Sequence, residues 1–211
     1  MAEHPSMKGR GLPARLWRLI VTPSSYYSLG AILLYGFGLG IVFWGGFHWA
    51  IELSNTETFC VSCHEHATFT LPEVQKTAHY SNISGSRAQC YDCHVPRDWL
   101  HKVTTKIYVT REFFQHLAGA IDTREKYEAK RLSMAMDVWQ RMRESNSREC
   151  RNCHDYSYMS LKQQEGLAAR QHQLAAYQNV GCIDCHMGIA HKLPVGAPER
   201  HLLLETPQPQ Q

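Results

Sequence analysis

Residues 26–51 break the mixed pattern of polar and apolar positions that runs through the rest of the chain. They contain no Lys, Arg, Asp or Glu and are rich in Leu, Ile, Phe, Trp and Gly. Within them, residues 29–49 have the length of a membrane-spanning helix at about 1.5 Å rise per residue. The run exceeds a signal-peptide core of about 7–15 residues, and no small-residue cleavage site follows it. It predicts an uncleaved anchor in a lipid bilayer. Tyr26 and Tyr27 at one end and Trp44 and Trp49 near the other fit interfacial aromatic belts. Gly36, Gly38, Gly40, Gly45 and Gly46 admit two readings, a close helix–helix contact in a homo-oligomer or simple tolerance of Gly in a membrane helix. His48, at the outer end, reads as interfacial rather than as a ligand.

Further along, residues 104–120 are amphipathic, with Ile107, Phe113, Phe114 and Leu117 recurring at about helical spacing. Asp122-Thr123-x-Glu125 then carries a helix-start signal, and the helix is predicted to reach about Ser145. Tyr127, Leu132, Ala135, Val138, Trp139 and Met142 form its apolar stripe, with Lys and Arg elsewhere. Met134, Met136 and Met142 are read as packing residues rather than metal ligands. No strand pattern appears, so the fold is predicted to be mainly α. Residues 1–24 read as a cytoplasmic segment, 25–52 as the anchor, 53–194 as one compact domain and 195–211 as a disordered tail.

Charge narrows the function classes. Charged residues are 19% of the 211, below the roughly 25% of an average soluble domain, and the net charge is only +3. No stretch interleaves basic and aromatic residues, so nucleic acid is not a predicted partner. Lys8, Arg10, Arg15 and Arg18 precede the anchor, opposed by Glu3 alone. The positive-inside rule then puts the N-terminus in the cytoplasm and the domain outside, on the periplasmic side of a bacterial inner membrane.

The 8 Cys and 13 His decide the chemistry. All the cysteines fall in C-x-x-C-H runs. Cys60 and Cys63 precede His64, and Cys90 and Cys93 precede His94. Cys150 and Cys153 precede His154, and Cys182 and Cys185 precede His186. This is the attachment signal of a c-type haem. Two thiols on one short turn can each add to a vinyl group, and the adjacent imidazole then reaches the iron as an axial ligand. A disulfide framework gives no reason for a His after every pair, and zinc knuckles take no consistent His at that position. Four covalently bound haems c are therefore predicted, with porphyrin making up much of the core. A domain this small cannot build a large aliphatic core of its own.

The motifs begin at residues 60, 90, 150 and 182, giving two closely spaced pairs separated by a longer insert. This reads as an internal duplication. His79 follows the first motif, His172 the third and His191 the fourth, as candidate distal ligands. Four bis-His haems need a fourth distal His that the repeat does not supply. One haem is thus expected to have an unusual or vacant sixth position. His66, two past His64, is a further candidate ligand of the first haem, while His101 and His116 are read as lining a pocket.

These residues are recognisable together. An N-terminal anchor followed by four C-x-x-C-H motifs at these gaps resembles the NapC/NirT/NrfH family of membrane-anchored tetrahaem cytochromes c, over residues 20–194. The likeness is closest to the NapC/NirT branch in Ala78-His79-Tyr80, Asp92-Cys93-His94-Val95-Pro96, Ala120-Ile121-Asp122-Thr123, the run from Ser147 to His154, and the run from Cys182 to His191. The resemblance implies a quinol dehydrogenase that passes electrons from the membrane quinol pool to a periplasmic oxidoreductase, in anaerobic respiration of the nitrate, nitrite or N-oxide type. It also implies a quinol site beside the first haem, formed by a Lys and an acidic residue six or seven apart, which Lys106 and Glu112 match. Two departures stand out. His66 occupies the place of a Met common in relatives, and Arg97 the place of a His that the NapC branch uses as a ligand. They lead to the expectation that His64 or His66 binds the first haem and that its distal side is open near Lys106 and Glu112. Alternative functions are an electron relay without a quinone site, and a quinone reductase running in the opposite direction.

Overall fold

The computed structural model describes residues 26–199, together with Pro13 and Trp17. The basic residues Lys8, Arg10, Arg15 and Arg18 lie outside the described residues, as do positions 200–211 of the predicted tail. The structure is helical, with no strand among the described residues. It divides into two compact units between Ala50 and Ile51.

The charge-free run forms helix α1 (Leu29–Leu53), whose 25 residues span about 37 Å and bury no side chain. It is long and apolar enough to cross a membrane. Ser28 supports its start, the hydroxyl accepting from the Ala31 amide at 3.2 Å.

The second unit is a set of short motif helices joined by two long ones. Helix α2 (Glu57–Cys60) ends in the first motif and is N-capped by Thr56, whose hydroxyl accepts from the Phe59 amide at 3.2 Å. A π-helical turn (His66–Thr70) leads into α3 (Leu71–Val74). Helix α4 (Cys90–His94) is the whole second motif. Its Asp92, one of the two residues between the cysteines, accepts from the Gln89 amide at 2.9 Å, so the motif caps its own helix.

Helix α5 (Trp99–Leu117) begins five residues before the predicted start, because Asp98 supplies an N-cap, accepting from the His101 amide at 3.0 Å. It has no fully buried residue, and the Ile107, Phe113, Phe114 and Leu117 side chains all stand exposed. The amphipathic pattern of α5 therefore does not serve a polypeptide core. Helix α6 (Arg124–Glu144) matches its prediction, with Thr123 as N-cap and Glu125 in the first turn. Tyr127 and Trp139 of its stripe are buried, but so is Arg131, which the pattern had placed on the polar face.

After α6 the chain reverses through Asn146 and Ser147, both at positive φ (51° and 52°). Left-handed backbone is costly for non-glycine residues, and here side-chain bonds offset it. The Asn146 amide nitrogen donates to the Asn179 Oδ1 at 2.5 Å, and the fully buried Ser147 hydroxyl accepts from the Ile183 amide at 3.1 Å. Helix α7 (Arg148–Arg151) then enters the third motif, α8 (Gly166–Gln178) carries His172, and a 3₁₀ turn (Cys182–Asp184) opens the fourth. The polypeptide's own core is small. Trp139, Ile183 and Met187 form its main cluster, flanked by Ala135, Met142 and Ala197, and Phe69 packs on Tyr127 at 5.0 Å between ring centres.

Candidate haem centres

Each motif places its cysteines on a short helical turn or at its end, and all eight thiols are free of disulfides. In the fourth motif, Cys182 opens the 3₁₀ turn and Cys185 caps its end. The Cys185 amide donates to the Cys182 carbonyl at 3.2 Å, so one turn of backbone holds both predicted attachment thiols together. The motifs are joined in pairs. The Cys60 and Cys90 thiols hydrogen-bond to each other, which lowers the pKa of Cys60. Cys150 and Cys182 do the same, which lowers the pKa of Cys182. These are the first cysteines of motifs one and two and of motifs three and four. The residues three places ahead repeat the arrangement. Glu57 pairs with Arg87 across the first two motifs, while Ser147 and its neighbour Asn146 reach Ile183 and Asn179 across the last two. Between the pairs, α4 packs on α7, and the Arg97 guanidinium reaches Cys153 Sγ at 3.8 Å. The four motifs therefore form one unbroken line in chain order.

The histidines complete the geometry. An imidazole nitrogen binds a first-row transition metal at about 2 Å, so two rings on opposite sides of one ion have centres about 6 Å apart. His79 and His154 lie 6.2 Å apart, His94 and His191 6.2 Å, His172 and His186 5.9 Å, and His64 and His116 6.0 Å. Every motif histidine thus faces a second imidazole at the separation an iron requires. With free thiol pairs beside each, the donor set fits four haems c: eight thiols for attachment, Cys63, Cys93, Cys153 and Cys185 being the second of each pair, and four imidazole pairs for iron. Partial burial lowers His191 below the usual imidazole range, which favours the neutral ring, the form that ligates metal.

The pairing is crossed. His79, from the first half of the repeat, faces the third motif, and His191, from the second half, faces the second motif. Of the three histidines that the repeat supplies, His172 alone faces a motif of its own half. The loop bearing His191 is fixed by a buried ion pair. The Arg131 guanidinium donates to both Glu73 oxygens at 2.8 and 2.6 Å and to the Lys192 carbonyl at 2.6 Å, while the Lys192 amide donates to Glu73 at 3.0 Å. Burial pushes the Glu73 carboxyl up, but Arg131 and the Lys192 amide override it and hold it below the usual carboxylate range.

The remaining sequence candidates fall differently. His66 is exposed at the start of the π-helical turn that follows the first motif. His101 bonds Asp98 at 2.5 Å in the first turn of α5. Lys106 is half-buried near Cys60 and donates to the Ser54 carbonyl at 2.7 Å, with burial pushing its pKa down. Glu112 is exposed. Six positions along a helix separate the two by about 9 Å of rise and about 120° of rotation, so they share the helix but not a face. The histidine opposite His64 is His116, which the spacing of the repeat does not point to.

A chain whose four C-x-x-C-H turns line up behind facing imidazole pairs, with one apolar helix ahead of them, is a multihaem c-type cytochrome. Residues 22–196 match the NapC/NirT cytochrome c family, N-terminal region, and the chain belongs to that family. Among its relatives are the denitrification system component NirT of Stutzerimonas stutzeri, 54% identical over 86% of this chain and 90% of that protein, and the cytochrome c-type protein NapC of Escherichia coli K12, 49% identical over 87% and 92%. The cytochrome c-type protein TorC of E. coli K12 is 42% identical over 85% of this chain but only 46% of its own length. No solved structure matches the chain.

Proposed function

We propose that this cytochrome oxidises membrane quinol beside its first haem and passes the electrons, through four covalently bound haems c in motif order, to a periplasmic reductase. The observation that carries the reading is the continuous line of motif contacts, Cys60 to Cys90, α4 to α7, and Cys150 to Cys182, with Lys106 at the first motif's end of it. Bound haem c supplies one-electron redox chemistry at iron. Oxidation of one quinol releases two electrons and two protons, so the site needs a hydrogen-bond donor for the quinone oxygens and a proton acceptor. Lys106, its charge weakened by burial, is the donor in this reading, and the exposed Glu112, farther along and around the same helix, takes the two protons in turn and passes each to water. Helix α1 anchors the chain with its N-terminus cytoplasmic and the haem domain periplasmic.

The test uses the detergent-solubilised full-length holoprotein, reduced anaerobically by menaquinol and ubiquinol analogues and followed by haem absorbance. Rapid reduction by at least one quinol is expected, slowed about a hundredfold in Lys106→Ala and Glu112→Ala. If both variants match the wild type, the assigned site is wrong. If dithionite reduces the protein and no quinol does, the chain is a relay without its own quinone site.

A further inference from the structure

The first motif carries a feature that the repeat does not supply. His116, near the end of α5, faces His64 with 6.0 Å between ring centres, the same separation as the three other imidazole pairs. Its Nδ1 lies 2.7 Å from a carboxylate oxygen of Glu65, whose side chain is only 3% exposed. Cys63, Glu65 and His116 all bring ligand atoms within 4.8 Å of one another, so His116 stands directly beside an attachment thiol of the first haem.

We propose that His116 is the distal axial ligand of the first haem, with Glu65 as the residue that positions it. A metal-bound histidine almost always gives its second ring N–H to a carboxylate, carbonyl or water, which fixes the tautomer and turns the other nitrogen to the metal. Glu65 supplies that acceptor. A carboxylate this buried needs a partner, and the His116 N–H lies 2.7 Å from it, with His64 Nδ1 farther at 3.5 Å. The Nε2 of His116 is left for iron. On the opposite side, His64 Nε2 lies 3.1 Å from the Asp122 carbonyl oxygen, a hydrogen bond that iron would replace. The proposal gives the first haem two imidazole ligands, in place of the open distal side read from the sequence. Quinol would then deliver electrons to the haem edge and not to a vacant iron position. The inference rests on the four-haem reading above, but not on quinol oxidation.

The test reads spin state in the oxidised full-length holoprotein, its four haems first verified by intact mass. Low-temperature EPR of the wild type is expected to show no high-spin ferric signal. In His116→Ala, one haem of the four should become high-spin, and added imidazole should return it to low-spin. A wild type with one haem already high-spin, or a His116→Ala variant that remains wholly low-spin, overturns the assignment. Should the alanine variant fail to mature, His116→Met is the second route. Near-infrared magnetic circular dichroism should then gain the charge-transfer band of a thioether-ligated haem, and a spectrum retaining four bis-imidazole haems refutes the proposal. Glu65→Gln should keep the haem low-spin and raise the midpoint potential of that haem alone, because the ligand becomes less basic. Unchanged potentials would remove Glu65 from the role. No quinol enters these measurements, so their failure leaves the quinol proposal standing, and a loss of haem would show in the mass.

Discussion

Replacing Arg131 by methionine removes the cation that joins three distant segments of the haem domain. Arg131 lies on α6, its partner Glu73 on α3 behind the first motif, and the Lys192 carbonyl behind the fourth. The Arg131 and Glu73 side chains are only 8% and 11% exposed. Methionine fills a similar volume but leaves the Glu73 carboxylate buried without its cation. Breaking a buried pair on one side costs about 3–5 kcal/mol. At 1.36 kcal/mol per factor of ten, about 4 kcal/mol lowers the ratio of folded to unfolded protein by about a thousandfold. Because the Lys192 amide also binds Glu73, the His191 loop should loosen, and one low-spin haem should lose its distal ligand. The assay is guanidinium unfolding of the holoprotein followed at the haem absorbance bands, with EPR of the folded variant. The double variant Arg131→Met/Glu73→Gln, which buries no lone charge, should recover most of the loss. If Arg131→Met loses less than about 1 kcal/mol and keeps all its haems low-spin, the clamp does not fix the loop.

Other perturbations test the local devices. Ser147→Ala removes the buried acceptor of the Ile183 amide between motifs three and four and should cost about 1–3 kcal/mol in the same unfolding assay. A cost below about 0.5 kcal/mol would mean that water or another group replaces the hydroxyl. Gly188 has φ +80°, and a Cβ there would lie 2.8 Å from Leu193 Cγ and 3.4 Å from the His191 carbonyl oxygen. Gly188→Ala should therefore destabilise the chain by more than about 1 kcal/mol and broaden the EPR signal of the haem that His191 serves, and wild-type stability with an unchanged spectrum would contradict the packing.

Much of this protein was legible in the residue order because the chemistry is local. A c-type haem needs two thiols and an imidazole within five residues, so every motif from Cys60 to His186 could be read without a fold. The anchor was equally local, since a charge-free run either has the length to cross a bilayer or does not. Thr123 and Glu125 marked the start of α6 because a cap satisfies backbone groups within one turn. Asp98 was just as local a signal for α5 but sits between the second motif and the apolar pattern, and the helix start was placed too late.

What tertiary structure decided is which distant groups meet. His79 and His172 hold corresponding places in the repeat, yet one ring faces across to the other half and the other stays at home. Spacing along a chain does not determine contact between segments so far apart. Arg131 looks like any surface arginine until Glu73, 58 positions away, gives it a buried carboxylate. His116 had no counterpart in the repeat and was visible only once α5 brought it beside Glu65 and His64. Axial partners and buried ion pairs depend on distances of a few ångströms between separate segments, and packing sets those distances.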